Sequence, residues 1–218
     1  TLTTENSVLA PRHYQILTTD KANIQMNYPK APDSTFLVMS SLPGYNDSEG
    51  SVILYNNLGQ LMERFDYKDD FHFPLIDDKN GVSLERINFT APVNNQNSWQ
   101  SAASTVGYAT PGFINSQQSG LAGGGDNVTL DTQVITPNGD GDRDFVTINF
   151  RFAQSGVTVN MTIFDKRGRQ VKRLVQNDLA ATEGFYTWDG TNDSGQKVRM
   201  GYYIIFVETF DLNGNKER

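Results

Sequence analysis

The sequence predicts an all-β protein made of two β-sandwiches in tandem, and three observations carry that expectation. Apolar and polar residues alternate in short runs rich in β-branched and aromatic side chains, the two-residue period of a half-buried strand. Turn signals built from Gly, Asn, Asp and Pro separate those runs at short intervals, and helical periodicity is nearly absent. A glycine-rich break near the middle leaves two stretches, each long enough to bury its own core.

In chain order, the first half offers strands at Tyr14–Leu17, Thr35–Val38, Ser51–Tyr55, Leu61–Tyr67 and Val82–Arg86. Pro43-Gly44, Asn57-Leu58-Gly59 and Lys79-Asn80-Gly81 punctuate them as turns. The second half offers Asp144–Phe152, Thr158–Phe164, Val171–Val175, Phe185–Trp188 and Tyr202–Phe210. Val146, Ile148 and Phe150 alternate with Thr147, Asn149 and Arg151, which gives one dry and one wet face. Val157, Val159, Met161 and Ile163 do the same on the next strand. A hairpin is expected at Asp165-Lys166-Arg167-Gly168, and further turns at Asn192-Asp193-Ser194-Gly195 and Leu212-Asn213-Gly214. Tyr202–Val207 is apolar enough for a central strand.

Between the halves, Asn115–Asp126 is glycine and small polar residues, a flexible linker with nothing to bury. The domains are therefore expected at 1–117 and 127–218, joined by a linker at 118–126. The two halves share no internal repeat.

One segment carries candidate chemistry. Asn138, Asp140, Asp142 and Asp144 stand at alternate positions, with glycines between the first three. If the backbone curls, those oxygens turn toward a common point, which is how Ca²⁺ is wrapped. The loop is not an EF-hand, because its closing position is Asn149 rather than a bidentate Glu. A tight turn before a strand wants the same residue types. Both readings stay open, with these four residues as the candidate metal ligands and Ca²⁺ as the candidate cofactor.

The bulk composition narrows the function. The 218 residues are 20% charged and 37% hydrophobic, with a net charge of -7. That acidity repels phosphate backbones, so no nucleic-acid or anionic-membrane partner is expected. No cysteine is present, which removes disulfides and zinc-thiolate sites and leaves the compartment open. His13 and His72 are too few for a histidine metal site, and each is expected on the surface. No apolar run has the length of a membrane span, so direct insertion is not expected. The chain opens on Thr1 without a signal peptide and is expected to be an ordered or mature portion of a longer protein.

Pro137-Asn138-Gly139-Asp140-Gly141, Ile163-Phe164-Asp165 with Gly168-Arg169-Gln170-Val171, Trp188-Asp189-Gly190 with Gly195, and Gly201-Tyr202-Tyr203 form an ordered set. Over residues 127–218 this set resembles the Ig-like domain of the flagellar-hook-cap type, and is similar to C-terminal modules of surface proteins in gliding Gram-negative bacteria. The resemblance implies an Ig-like sandwich in which Trp188 packs on the core and Asp189 bonds turn amides. It also implies one more strand after Arg218.

Ser83-Leu84-Glu85-Arg86, Asn97-Ser98-Trp99-Gln100-Ser101-Ala102 and Gly107-Tyr108-Ala109-Thr110-Pro111-Gly112-Phe113 follow one another in the first half. With Val52-Ile53-Leu54-Tyr55 and Gly59-Gln60-Leu61, they resemble bacterial lamin-tail domains over residues 8–117. That likeness implies a compact Ig-like sandwich whose opening strands lie upstream. The fold class is thus all-β, two tandem Ig-like β-sandwiches.

Other residues have competing roles. Glu85 and Arg86 point to opposite faces of one strand, and one of them is expected in a buried or interdomain ion pair. Trp99 either seals the sandwich or forms a sugar-stacking platform. Phe71-His72-Phe73-Pro74 reads as an exposed aromatic loop and a candidate partner contact, provided Phe71 or Phe73 faces solvent.

No nucleophile elbow, phosphate loop or dinucleotide motif is present, so catalysis is not expected. The resemblances imply a non-catalytic region of an exported protein at the bacterial cell surface, mediating protein–protein docking. Such proteins leave gliding bacteria through the type IX secretion system, which makes an outer-membrane barrel or a secretion component the expected partner. The alternative is an accessory region that brings a larger secreted hydrolase to its substrate, with carbohydrate as one candidate ligand.

Overall fold

In the computed structural model, which describes residues 9–10, 13–118, 127–212 and 214–217, the predominantly β character is as expected. The described residues divide into two units. One runs to Ala102 and includes Val106–Ser116; the other is Ala103–Thr105 with the chain from Gln117 onward.

Among its described residues, the first unit contains three two-stranded sheets. β1 (Ile16–Thr18) and β2 (Phe36–Val38) pair in parallel, bridged by a helix that the sequence did not announce. This helix, α1 (Lys21–Asn27), is capped by Asp20, whose carboxylate accepts the Asn23 amide at 2.9 Å. Seven residues with none buried leave no apolar stripe to detect.

β3 (Glu49–Tyr55) and β4 (Leu61–Lys68) form an antiparallel hairpin closed by Asn56, whose side-chain oxygen accepts the Leu58 and Gln60 amides, each at 2.9 Å. β5 (Leu84–Arg86) pairs with β6 (Trp99–Ser101), a strand that the spacing of the apolar residues did not reveal.

The second unit is a sandwich of two antiparallel sheets. Its elements are β7 (Asn127–Leu130), β8 (Val146–Arg151), β9 (Thr158–Asp165), β10 (Gln170–Leu179), β11 (Glu183–Trp188), β12 (Tyr203–Phe210) and β13 (Lys216–Glu217). One sheet runs β10-β9-β12-β13 and the other β11-β8-β7. β9 is interior in the first sheet and β8 in the second, so their alternating residues form the core. Ile148, Val159, Met161 and Ile163 are fully buried, with Phe150, Phe152 and Trp188 beside them. This is the alternation seen in the sequence.

β10 runs longer than expected because it is bulged. Asn177 sits at φ 49° and donates its amide to the Asn160 side-chain oxygen at 2.8 Å.

The linker expected at 118–126 lies outside the described residues from 119 on. What precedes it differs from expectation. Gln117, placed in a segment with nothing to bury, is fully buried in the second unit. Its amide nitrogen donates to the Ala180 carbonyl at 3.1 Å, and its oxygen accepts the Gly156 amide at 3.0 Å. A long polar side chain enters a core when both of its ends are bonded there.

Candidate functional site

The Asp-rich loop before β8 turns its oxygens onto its own backbone. The Asp144 carboxylate accepts the Gly139 amide at 2.6 Å and the Gly141 amide at 2.8 Å, one on each oxygen. Asn138 accepts the Asp140 amide at 3.0 Å, and Asp140 accepts the Asp142 amide at 2.8 Å. Gly139 and Gly141, at φ 85° and 88°, supply the left-handed backbone that aims those amides inward. The Asp142 amide holds the Asp140 carboxyl below its usual range, with the Asn138 side chain adding to it. Among the described residues, no group of three or more His, Asp or Glu side chains is placed to hold a metal ion.

The Trp188-Asp189-Gly190 turn locks the same end of the sandwich. Trp188 is buried and donates its indole N–H to the Thr191 carbonyl at 2.9 Å. Asp189 accepts the Thr191 hydroxyl at 2.6 Å and the Thr191 amide at 3.1 Å, as the resemblance implied. Gly190 has φ 68°, and a Cβ there would lie 3.0 Å from Pro137 Cγ. The two motifs therefore press against each other.

In the first unit the reactive-looking residues are structural. Glu85 is buried and accepts the Ser116 hydroxyl at 2.7 Å and the Thr110 hydroxyl at 2.5 Å. Arg86 points the other way and pairs with Glu63 at 3.0 Å; this pair is partly exposed and lies within the unit, so it is neither buried nor interdomain. Trp99 stacks on Phe65 with ring centroids 3.7 Å apart and donates its N–H to the Val93 carbonyl at 2.7 Å. One face of the indole is thereby occupied, which favours the sealing role.

The expected exposed aromatic loop is a correction: Phe73 is buried, and Phe71 is half-buried against Phe65. His72, expected on the surface, is half-buried with Nδ1 2.9 Å from the Ser101 hydroxyl. Burial, with the nearby Lys79 charge, pushes its pKa down. A Ser–His contact invites a catalytic reading, but Ser101 is fully buried and also accepts the Phe73 amide at 2.9 Å. A substrate carbonyl has no approach to that hydroxyl.

Two surface features carry more functional weight. The β3–β4 hairpin exposes Leu54, Tyr55, Leu58, Leu61 and Met62. The second unit has an open depression of about 600 Å³ between the β9–β10 turn and the segment entering β12. Its rim includes Lys166, Arg167, Arg199, Met200 and Tyr202. The sequence pattern places Lys166 and Arg167 in a turn and Tyr202 in a strand and gives Arg199 and Met200 no element, because residues 166–167 and 199–202 meet only after the sheet has formed.

Residues 132–211 match the family model of the FlgD Ig-like domain. The C5a peptidase of Streptococcus pyogenes serotype M18 (strain MGAS8232) is 34% identical over 99 residues, covering 38% of this chain. The chain spans only 9% of that relative's length. FlgD from P. aeruginosa is a solved structure at 23% identity and TM-score 0.32, covering 41% of this chain and 67% of the other. FlgD from Xanthomonas campestris, whose structure is described as giving insights into hook capping in flagellar assembly, is 36% identical with TM-score 0.25. That match covers 29% of this chain and 45% of the other. The hook-cap-type Ig-like module expected at 127–218 is thus matched over 132–211.

Proposed function

We propose that this chain is a non-catalytic tandem Ig-like region of an exported bacterial cell-surface protein, working by protein–protein docking. The observation that carries this is the hook-cap-type Ig-like match falling on a sandwich whose polar motifs are consumed in holding its own turns. Such a module leaves rims and edges, rather than a cleft, for recognition. The likeness of the first half to lamin-tail domains extends the reading to an outer-membrane-associated cargo of the type IX secretion and gliding machinery, docking on an outer-membrane barrel or a secretion component. The test is deletion of residues 117–218 from the full-length protein, followed by cell-surface fractionation and co-purification. Loss of surface retention is expected, and unchanged retention would sink the proposal.

A second reading rests on the C5a peptidase match, which falls on a small share of a peptidase. In this reading the chain is an accessory region that brings a larger secreted hydrolase to its substrate, with carbohydrate as one ligand. A glycan array separates the two, since saturable binding to a defined glycan belongs only to the second.

Ca²⁺ at Asn138, Asp140, Asp142 and Asp144 is proposed as an addition to either reading. Each carboxylate oxygen that accepts one amide retains a second lone pair. Melting in Ca²⁺ and in chelator should then differ by several degrees, as expected when an ion binds only the folded state. Coincident curves would remove the ion and leave the loop as a turn.

A further inference from the structure

We infer that the depression beside the β9–β10 turn is a docking site for an acidic peptide segment carrying an apolar anchor. This deepens the docking function proposed above and rests on it. The chain is acidic overall, at -7, yet the rim of this depression is cationic. Of its charged residues, Asp165 and Arg169 satisfy each other, with the guanidinium 2.7 Å from the carboxylate. The neighbouring Asp193 accepts the Arg173 amide at 2.8 Å and the Gln170 side-chain amide at 3.2 Å. Lys166, Arg167 and Arg199 are left without an ion pair among the described residues, all exposed around one concavity.

Beside these cations stand the two most exposed large apolar side chains among the described residues, Met200 at 104% and Tyr202 at 85% relative exposure. Exposed Met and aromatic side chains at a cationic rim suit a peptide with a hydrophobic anchor, Met adapting its shape and Tyr offering rigid area.

The platform is already organised. The Tyr203 hydroxyl donates to the Arg199 carbonyl at 2.6 Å, while its ring meets the buried Trp188 edge-on at 5.4 Å. The Asp165 carboxylate accepts the Arg167 amide at 2.8 Å and the Arg169 amide at 3.1 Å, fixing the opposite wall. A rigid rim reduces the ordering cost that a peptide must overcome. Three cations neutralise too few phosphates to hold a polymer whose affinity grows with that number, whereas a short acidic polypeptide needs only a few charge pairs beside its apolar anchor.

The test uses the full chain and a fluorescein-labelled peptide that alternates Asp with Leu and carries one Phe. The control is the same peptide with Lys in place of Asp. Anisotropy should rise saturably with the acidic peptide only. The double variant R167E/R199E should weaken binding by at least about tenfold, because steering and pairing are both reversed. M200A/Y202A should also weaken it, while higher salt should lessen the gap between native and R167E/R199E protein. Both variants change exposed side chains, and unchanged melting curves verify that they fold.

Equal binding of the two peptides, indifference to R167E/R199E, or tighter binding of a heparin fragment than of the acidic peptide would each overturn the inference. The R167E/R199E variant is also scored in the surface-retention assay. Retention kept by that variant but lost on deleting residues 117–218 moves the contact elsewhere on the sandwich and leaves the docking function standing. Retention that survives the deletion removes the docking function itself.

Discussion

His72 shows how a residue type misleads until its partners are known. Its Nδ1 faces the fully buried Ser101 hydroxyl, which already accepts the Phe73 amide, so the hydroxyl proton is available to a neutral imidazole. In the unfolded chain His72 titrates at about pH 6.5, and burial holds the folded value lower. As pH falls, the unfolded state takes up the proton first. The stability present above about pH 6.5 is therefore lost between that point and the folded value. Urea midpoints should drop between about pH 7.5 and pH 5.5, and H72Q should flatten that dependence. An equally steep H72Q profile would move the titration to another group. Asp144 and Gly190 teach the same lesson, since their types were visible in the sequence while their partners, the Gly139 and Gly141 amides and Pro137, were not.

Strands of similar composition have opposite fates at the scale of the element. β9 alternates Val159, Met161 and Ile163 into a closed core, and each of the three is fully buried. β3 carries Val52, Ile53 and Leu54 in succession, and all three are exposed. M161A should cost about 2–5 kcal/mol in chemical denaturation, the loss typical of a buried large-to-small change. L54A, at 57% exposure, should stay within about 0.5 kcal/mol. A large loss for L54A would mean that the hairpin face is covered by something in solution. Helix α1 was invisible because one capped stretch of seven residues buries nothing and so leaves no period. β6 and β7 escaped because Trp99-Gln100-Ser101 and Asn127–Leu130 carry too few β-branched or aromatic residues in alternation to mark a strand, and only pairing with Leu84–Arg86 and with β8 defines them.

For the whole molecule, net charge sets the broad limit and its distribution sets the specificity. At -7, the chain should not retard mixed-sequence duplex DNA in a gel at about 0.15 M salt, despite the cationic rim around Arg167 and Arg199. A salt-sensitive shift would overturn that expectation and revive a polyanion partner. Among the described residues, no helix is long and apolar enough to cross a membrane.

The sequence by itself determined the all-β class, the positions of the long strands and the facing of the β8–β9 core, since a period of two is a local property that burial only has to respect. Tertiary structure alone decided that Gln117 is core, that Phe73 is not a surface anchor, that the Asp-rich oxygens turn onto amides, and that Arg167, Arg199 and Tyr202 share one rim. Each of these depends on residues far apart in the chain, or on how a backbone curls, and neither is written in the spacing of residue types.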